Sequence, residues 1–318
     1  MGLWKLRLSM AGTLAIIFGL STLVFTVILS LAGLGFDLLT MGIFVVCFNI
    51  IQWLLAPYIV GALYRVKELP QSENPQLHQM VDTLSQKSGI ARPKLMIAQI
   101  PLPNAFAYGS PISGSRIAVT QGLLKTLDEG EVEAVIGHEL GHLRHRDVQV
   151  MMVVSFLPAL FYYIGFSLMW SGNSRDKNGS GNNALFGIAF MAFSWILNMF
   201  ILYLSRLREY YADRHSVSVV ENGVQKLSSG LAKIVHSTQR TSRTKKETQN
   251  LNGFKALFIA DPDRANTDSA ILATMQASNQ NLVQEILAKE PTLTDKIIEA
   301  LSTHPNIVKR LRALQQLN

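Results

Sequence analysis

The stretch from Asp128 to Asp147, DEGEVEAVIGHELGHLRHRD, decides how the rest of the chain is arranged. Asp128 and Glu131 have the spacing of a capping box, which starts a helix. Val132, Val135, Ile136 and Leu140 recur at helical spacing and give that helix an apolar side to bury. His138 and His142, four residues apart, then lie one turn above each other on the same face and can converge on one metal ion. Glu139 sits beside the first histidine, where its carboxylate can reach water activated by a metal without ligating the metal: the place of a general base. A buried helix holding two histidines and a carboxylate needs partners for them, and a metal supplies one. Taken alone, the motif also allows an exposed amphipathic helix with two solvated histidines.

A catalytic zinc takes three protein ligands and keeps a position open for water. The third ligand is supplied by a second segment, Ser205 to Asp213, SRLREYYAD. Glu209 and Asp213 are four apart and share a helical face. Glu209 can be the carboxylate ligand, and Asp213 can accept the free N–H of a ligating histidine. The alternative for this segment by itself is a surface ladder of Arg206, Arg208, Glu209 and Asp213.

The two motifs together, with Asn104-Ala-Phe-Ala107 and Gly109 upstream, Asp147 after the motif helix, and Thr303-His304-Pro305 with Arg310 downstream, resemble the HtpX family of membrane zinc endopeptidases, relatives of the CAAX prenyl proteases. The resemblance covers nearly the whole chain. Asn306 departs from it, because many relatives carry a second proline there. It implies a mainly α membrane protein: four transmembrane helices plus a cytoplasmic α+β, zincin-like metalloprotease domain with a small β-sheet. It implies one Zn2+ per chain held by His138, His142 and Glu209, with Glu139 catalytic and Asp213 behind the ligands. It also puts Asn104, Ala105, Phe106 and Ala107 on an edge strand that binds extended peptide, and His304 near the cleft as one candidate for stabilising the oxyanion, in competition with Tyr210, Tyr211 and Arg310.

Composition agrees with a membrane setting. Of 318 residues, 48% are hydrophobic and only 16% charged, too apolar for an ordinary soluble domain. The net charge of +7 follows basic residues that flank apolar spans, which points to topology or anionic lipid rather than to nucleic acid. A single cysteine, Cys47, rules out an intramolecular disulfide. Leu8 to Phe36, Leu38 to Tyr64, Val148 to Trp170 and Ala184 to Ser205 carry no charge apart from their flanks, and each is long enough to cross a bilayer. The chain therefore divides into a transmembrane hairpin (1–64), a protease part with the sheet and the motif helix (65–147), a second hairpin (148–205) and a helical part with the third ligand (206–318). Lys5, Arg7, Arg65, Lys67, His145, Arg146, Arg206 and Arg208 fall on one side, so the positive-inside rule places both termini and the catalytic parts in the cytoplasm, at the cell membrane.

Between the hairpins, Asn74 to Ser88 has the pattern of an amphipathic helix, and Lys94 to Gln99, Asn104 to Tyr108 and Arg116 to Thr120 that of short strands. A second helix, Gly223 to Val235, precedes a polar tract, His236 to Lys246, expected to be a solvated loop or a contact for lipid phosphate. His145, roughly 10 Å along the helix from His138, is too far away to join one tetrahedral site. The partners expected are membrane lipids and unfolded or membrane-protein polypeptides, with no nucleic acid. Hydrolysis of misfolded or damaged membrane proteins is the activity the resemblance implies. The two rivals are a CAAX-type protease acting on prenylated substrates and a non-catalytic zinc-stabilised membrane adaptor or chaperone.

Overall fold

A computed structural model of the chain describes residues 38–171, 180–243 and 279–317. Helix α1 (Leu38–Leu63) leads into strand β1 (Val66–Glu68), helix α2 (Pro75–Ser88) and strands β2 (Lys94–Ala98), β3 (Ala105–Ser110) and β4 (Gly114–Thr120). Helices α3 (Gln121–Thr126), α4 (Glu129–Arg144), α5 (Asp147–Ser171), α6 (Ser180–Val219) and α7 (Gly223–Arg243) follow, then α8 (Asn279–Leu287), α9 (Leu293–Ala300) and α10 (Ile307–Gln315). The expected mainly helical fold with a small mixed sheet is present. The described residues fall into two compact units, one spanning 53–150 with 202–318 and the other the remainder.

In the first unit the sheet order is β1-β2-β4-β3, with β2 and β4 parallel and both outer pairs antiparallel. Strand β3 is an edge, as expected of Asn104 to Ala107, although Asn104 itself precedes the strand and pairs with Thr120 in both directions. Alternation along the strands sends Leu95, Ala105, Ile117 and Val119 to one face, where Val132, Val135, Ile136 and Leu140 of α4 complete the core. The opposite face carries Met96, Ala98, Phe106, Tyr108 and Ala118, covered by Tyr64. Helix α2 begins at Asn74, whose side chain caps Leu77 N–H, and stops at Gly89, which adopts a left-handed φ of 66°.

Helix α7 runs to Arg243, so residues 236–243 are helical rather than a loop. The tract contains no glycine or proline to stop the helix, and the buried face set by Leu227, Leu231 and Ile234 extends one turn further to Thr238. Residues 244–246 lie outside the described residues.

In the second unit, α5 and α6 pack through small residues and aromatic rings. A Cβ added to Gly165 would lie 2.5 Å from Gly187 O, and Ser194 Oγ donates to Pro158 O at 2.7 Å. Phe161 sits 5.9 Å from Phe190 and 4.8 Å from Phe193, centre to centre. Large apolar side chains, including Leu185, Phe186, Trp195 and Phe200, remain exposed. Among the described residues one helix, over Ala184–Val219, is long and apolar enough to cross a membrane; the apolar stretches Trp53–Ala62 and Pro158–Met169 are shorter. Of the four spans expected, the structure thus supports one at full length, and Leu8 to Phe36 lies outside the described residues.

Candidate metal centre

Helix α4 is fixed at its start by the complete capping box: Asp128 Oδ1 accepts Glu131 N–H and Glu131 Oε2 accepts Asp128 N–H, both at 3.0 Å. Its contact with α6 depends on the glycines of the motif. A Cβ on Gly141 would stand 3.0 Å from Ala212 Cα, and one on Gly137 would stand 3.1 Å from Ser216 Oγ. Ser216 Oγ donates to Ala134 O at 2.6 Å across the same seam. This close approach brings Glu209 of α6 to the two histidines of α4.

One ligand atom each from His138, His142 and Glu209 lies within 4.8 Å of the others, so these three residues could hold a metal ion. His138 Nδ1 is 2.9 Å from Asp213 Oδ1, and His142 Nδ1 is 2.6 Å from Asp147 Oδ2. Because carboxylates accept, each Nδ1 carries the proton and each Nε2 directs a lone pair inward. The two Nε2 atoms are 3.2 Å apart and stand 3.7 and 3.5 Å from oxygens of Glu209. Two lone pairs and a carboxylate converge in a buried space, with the Arg310 guanidinium at its edge 3.0 Å from Glu209 Oε2 and 3.2 Å from His138 Nε2, and a cation between the three ligands would be favoured there. The donor set, two imidazole nitrogens and one carboxylate, fits a zinc site with an open position.

In the metal-free protein a proton takes that role. Burial pushes the His142 imidazole down, but Asp147 and Glu209 outweigh it and hold the group up at about 10. Burial likewise opposes the charge on Glu209, yet His304 and Arg310 hold it well below the usual carboxylate range. Arg310 does the same for Asp213.

Arg310 comes from α10 and is 2% exposed. Its Nε and Nη2 donate to the two oxygens of Asp213 at 2.7 and 2.6 Å, and Nη1 lies 3.0 Å from Glu209 Oε2. Helix α10 is held at its start by Asn306, whose side chain accepts Val308 N–H at 2.9 Å while its own N–H donates to Glu299 Oε1 at 3.2 Å. Asn306, where the resemblance led to the expectation of a second proline, therefore caps the helix with its side chain and also donates an N–H that proline lacks. Asp147 in turn pairs with Arg208, which is buried rather than part of a surface ladder. Arg146, at a left-handed φ of 54°, turns the chain between α4 and α5 and so delivers Asp147 to His142.

Glu139 is 3% exposed, and its Oε2 accepts the N–H of Ala107 from strand β3 at 2.7 Å. Of the residues expected to meet a peptide, Ala107 therefore lies beside Glu139 and His304 beside Glu209, with Nδ1 3.4 Å from Oε1. The Phe106 side chain points to the other face of the sheet, between Tyr64 and Tyr108. Ala105 is core and Asn104 is 1% exposed. Tyr211 is 61% exposed, and His145 caps α4 through Gly141 O rather than joining the ligand group. Sequence reasoning gave Asp147 and Arg310 no partner; no local spacing reveals contacts made to a histidine from other helices.

A helix-borne pair of histidines with an intervening glutamate, completed by a buried glutamate from a second helix, is the centre of a metallopeptidase. Residues 71–318 match the model of Peptidase family M48, and the chain belongs to that family and is a metalloprotease. It is 36% identical to "Protease HtpX homolog" of Thermoplasma acidophilum, over 100% of this chain and 99% of that protein. It is 36% identical to "Protease HtpX homolog 2" of Saccharolobus solfataricus, over 99% and 98%. In fold it is similar to the crystal structure of S. mikatae Ste24p, with a TM-score of 0.58 at 17% identity, covering 98% of this chain and 66% of that one.

Proposed function

We propose that this chain is a zinc-dependent membrane endopeptidase that cleaves misfolded or damaged membrane proteins at the cytoplasmic membrane face. His138, His142 and Glu209 hold the ion, which supplies Lewis acidity toward the attacking water and the scissile carbonyl. Glu139 takes the proton of that water and passes it to the leaving amine. Asp213 and Asp147 keep the two imidazoles in the tautomer that presents Nε2. The edge strand that carries Ala107 presents backbone to an extended peptide beside Glu139, which accepts the Ala107 N–H itself, with Asn104, Ala105 and Phe106 holding the strand in register. His304 faces the same space and can steady the developing negative charge.

The observation that carries this reading is the convergence of two inward lone pairs and Glu209, with each Nδ1 committed to a carboxylate. The exposed apolar surface of α6 and its apolar stretch support the membrane setting.

The test compares wild type with Glu139→Gln, both loaded with zinc, on an unfolded soluble substrate and on a membrane-protein substrate. Wild type should cleave; the variant should bind zinc equally and cleave roughly 10² to 10⁴ times more slowly. Equal zinc with equal cleavage would remove Glu139 from the mechanism. Equal zinc with no cleavage by either protein would favour a non-catalytic adaptor.

A further inference from the structure

The face of the sheet turned away from the metal centre holds a feature that the protease chemistry does not use. The register sets Lys94 of β2 opposite Arg116 of β4, and Arg116 opposite Tyr108 of β3. Three polar side chains therefore form one row across three strands on one face. Two like charges in facing register on neighbouring strands repel one another. Among the described residues neither Lys94 nor Arg116 forms an ion pair. Glu68, the acid on that face, is opposite Met96 one row away and pairs with neither.

The row also holds donors with nothing to donate to. Tyr108 is 5% exposed, and its hydroxyl is buried without a hydrogen-bond partner. Arg116 Nε is buried and equally unpartnered. Arg116 lies close enough to the phenol to oppose the rise that burial gives it, and because a buried donor left unpaired costs about 1–3 kcal/mol, the Tyr108 hydroxyl proton and Arg116 Nε would both gain from an acceptor placed between them. An ammonium, a guanidinium and a hydroxyl are the donors that hold a phosphate.

We propose that Lys94, Arg116 and Tyr108 bind the phosphate of an anionic phospholipid headgroup. The membrane is favoured over dissolved phosphate by what covers the neighbouring row. Helix α1 contains no charged residue, and Val60 of its last turn and Tyr64 just beyond it pack on this same face. Tyr64 is 5.4 Å from Phe106, and Phe106 is 5.5 Å from Tyr108, centre to centre. The row therefore lies two ring contacts, up to about 11 Å, from the end of an apolar helix, close to where a headgroup layer of roughly 5–8 Å borders the hydrocarbon. This assignment rests on the membrane setting proposed above and on the span expected from Leu38 to Tyr64.

The experiment uses the full-length chain in mild detergent, titrated with phosphatidylglycerol or phosphatidylcholine, with bound lipid counted by native mass spectrometry. Wild type should retain one phosphatidylglycerol and prefer it to phosphatidylcholine. Lys94→Gln combined with Arg116→Gln should weaken phosphatidylglycerol binding on the order of 30-fold, and Lys94→Gln alone about fivefold. Zinc content and thermal midpoint, read on the same samples, should stay unchanged in Lys94→Gln, whose side chain is exposed. Equal retention of phosphatidylglycerol by wild type and both variants would overturn the proposal. So would displacement of the lipid by inorganic phosphate alone at matched concentration, which would assign the row to a free anion. Alkaline extraction of membranes separates the two readings: a protein that stays in the pellet but shows no lipid preference refutes the row, whereas one that is released refutes the membrane setting itself.

Discussion

The two histidines of α4 are served by two arms of the same composition, imidazole to carboxylate to guanidinium, built to different depths. His138 leads to Asp213 and Arg310, whose side chains are 2%, 3% and 2% exposed. His142 leads to Asp147 and Arg208, at 18%, 12% and 10%. The first arm closes on itself, because Arg310 also touches Glu209 and so joins the third ligand. The second arm is local, reached through the Arg146 turn, and ends with Arg208 Nη1 unpartnered. The inner arm is therefore the rigid reference of the centre, and the outer arm is the side on which it can adjust.

The contrast breaks most sharply at Arg310. Arg310→Met leaves Asp213 and Glu209 buried without their shared cation and should cost about 3–5 kcal/mol in denaturant unfolding. If it costs no more than Arg208→Met, the two arms are equivalent and the distinction fails. Next come the carboxylates. Asp213→Asn and Asp147→Asn should each weaken zinc binding, within a range of about 10- to 100-fold, with Asp213 at the upper end because water cannot replace it; a chelator competition measures both. Arg208→Gln should follow, at about 1–3 kcal/mol, since solvent reaches part of that pair.

The last effect is one of pH. The folded metal-free His142 titrates at about 10, above its ordinary value of 6.5, so its proton stabilises fully below 6.5 and that contribution is lost as pH rises toward 10. Melting of the metal-free protein should fall across that window. Zinc displaces the same proton, so its apparent affinity should rise about tenfold per pH unit there, with close to one proton released on binding at neutral pH. Calorimetry in buffers of different ionisation enthalpy counts that proton, and a count of zero would mean that His142 is already neutral.

Much of the ligand group was legible because it obeys local spacing. The four-residue steps from His138 to His142 and from Glu209 to Asp213 place each pair on one helical face whatever the fold. The capping box at Asp128 was legible for the same reason, whereas the edge position of β3 followed only from the resemblance. Arg310 and Asp147 were visible only as residues of a resemblance, because their partners lie on other helices. For Arg208 a surface ladder stayed open as the alternative, since an Arg-Leu-Arg-Glu string looks solvated until a neighbouring helix covers it. The end of α7 was missed because a polar tract lacking glycine and proline can continue a helix when one of its residues, here Thr238, keeps to the buried face.

Arg310 stands 172 positions after His138, the ring it braces. Ribosomes add roughly 5–20 residues each second, so the motif helix emerges some 10 to 30 s before the guanidinium that completes its inner arm. During synthesis the two histidines therefore exist without the brace, and the inner arm closes only once α10 has emerged.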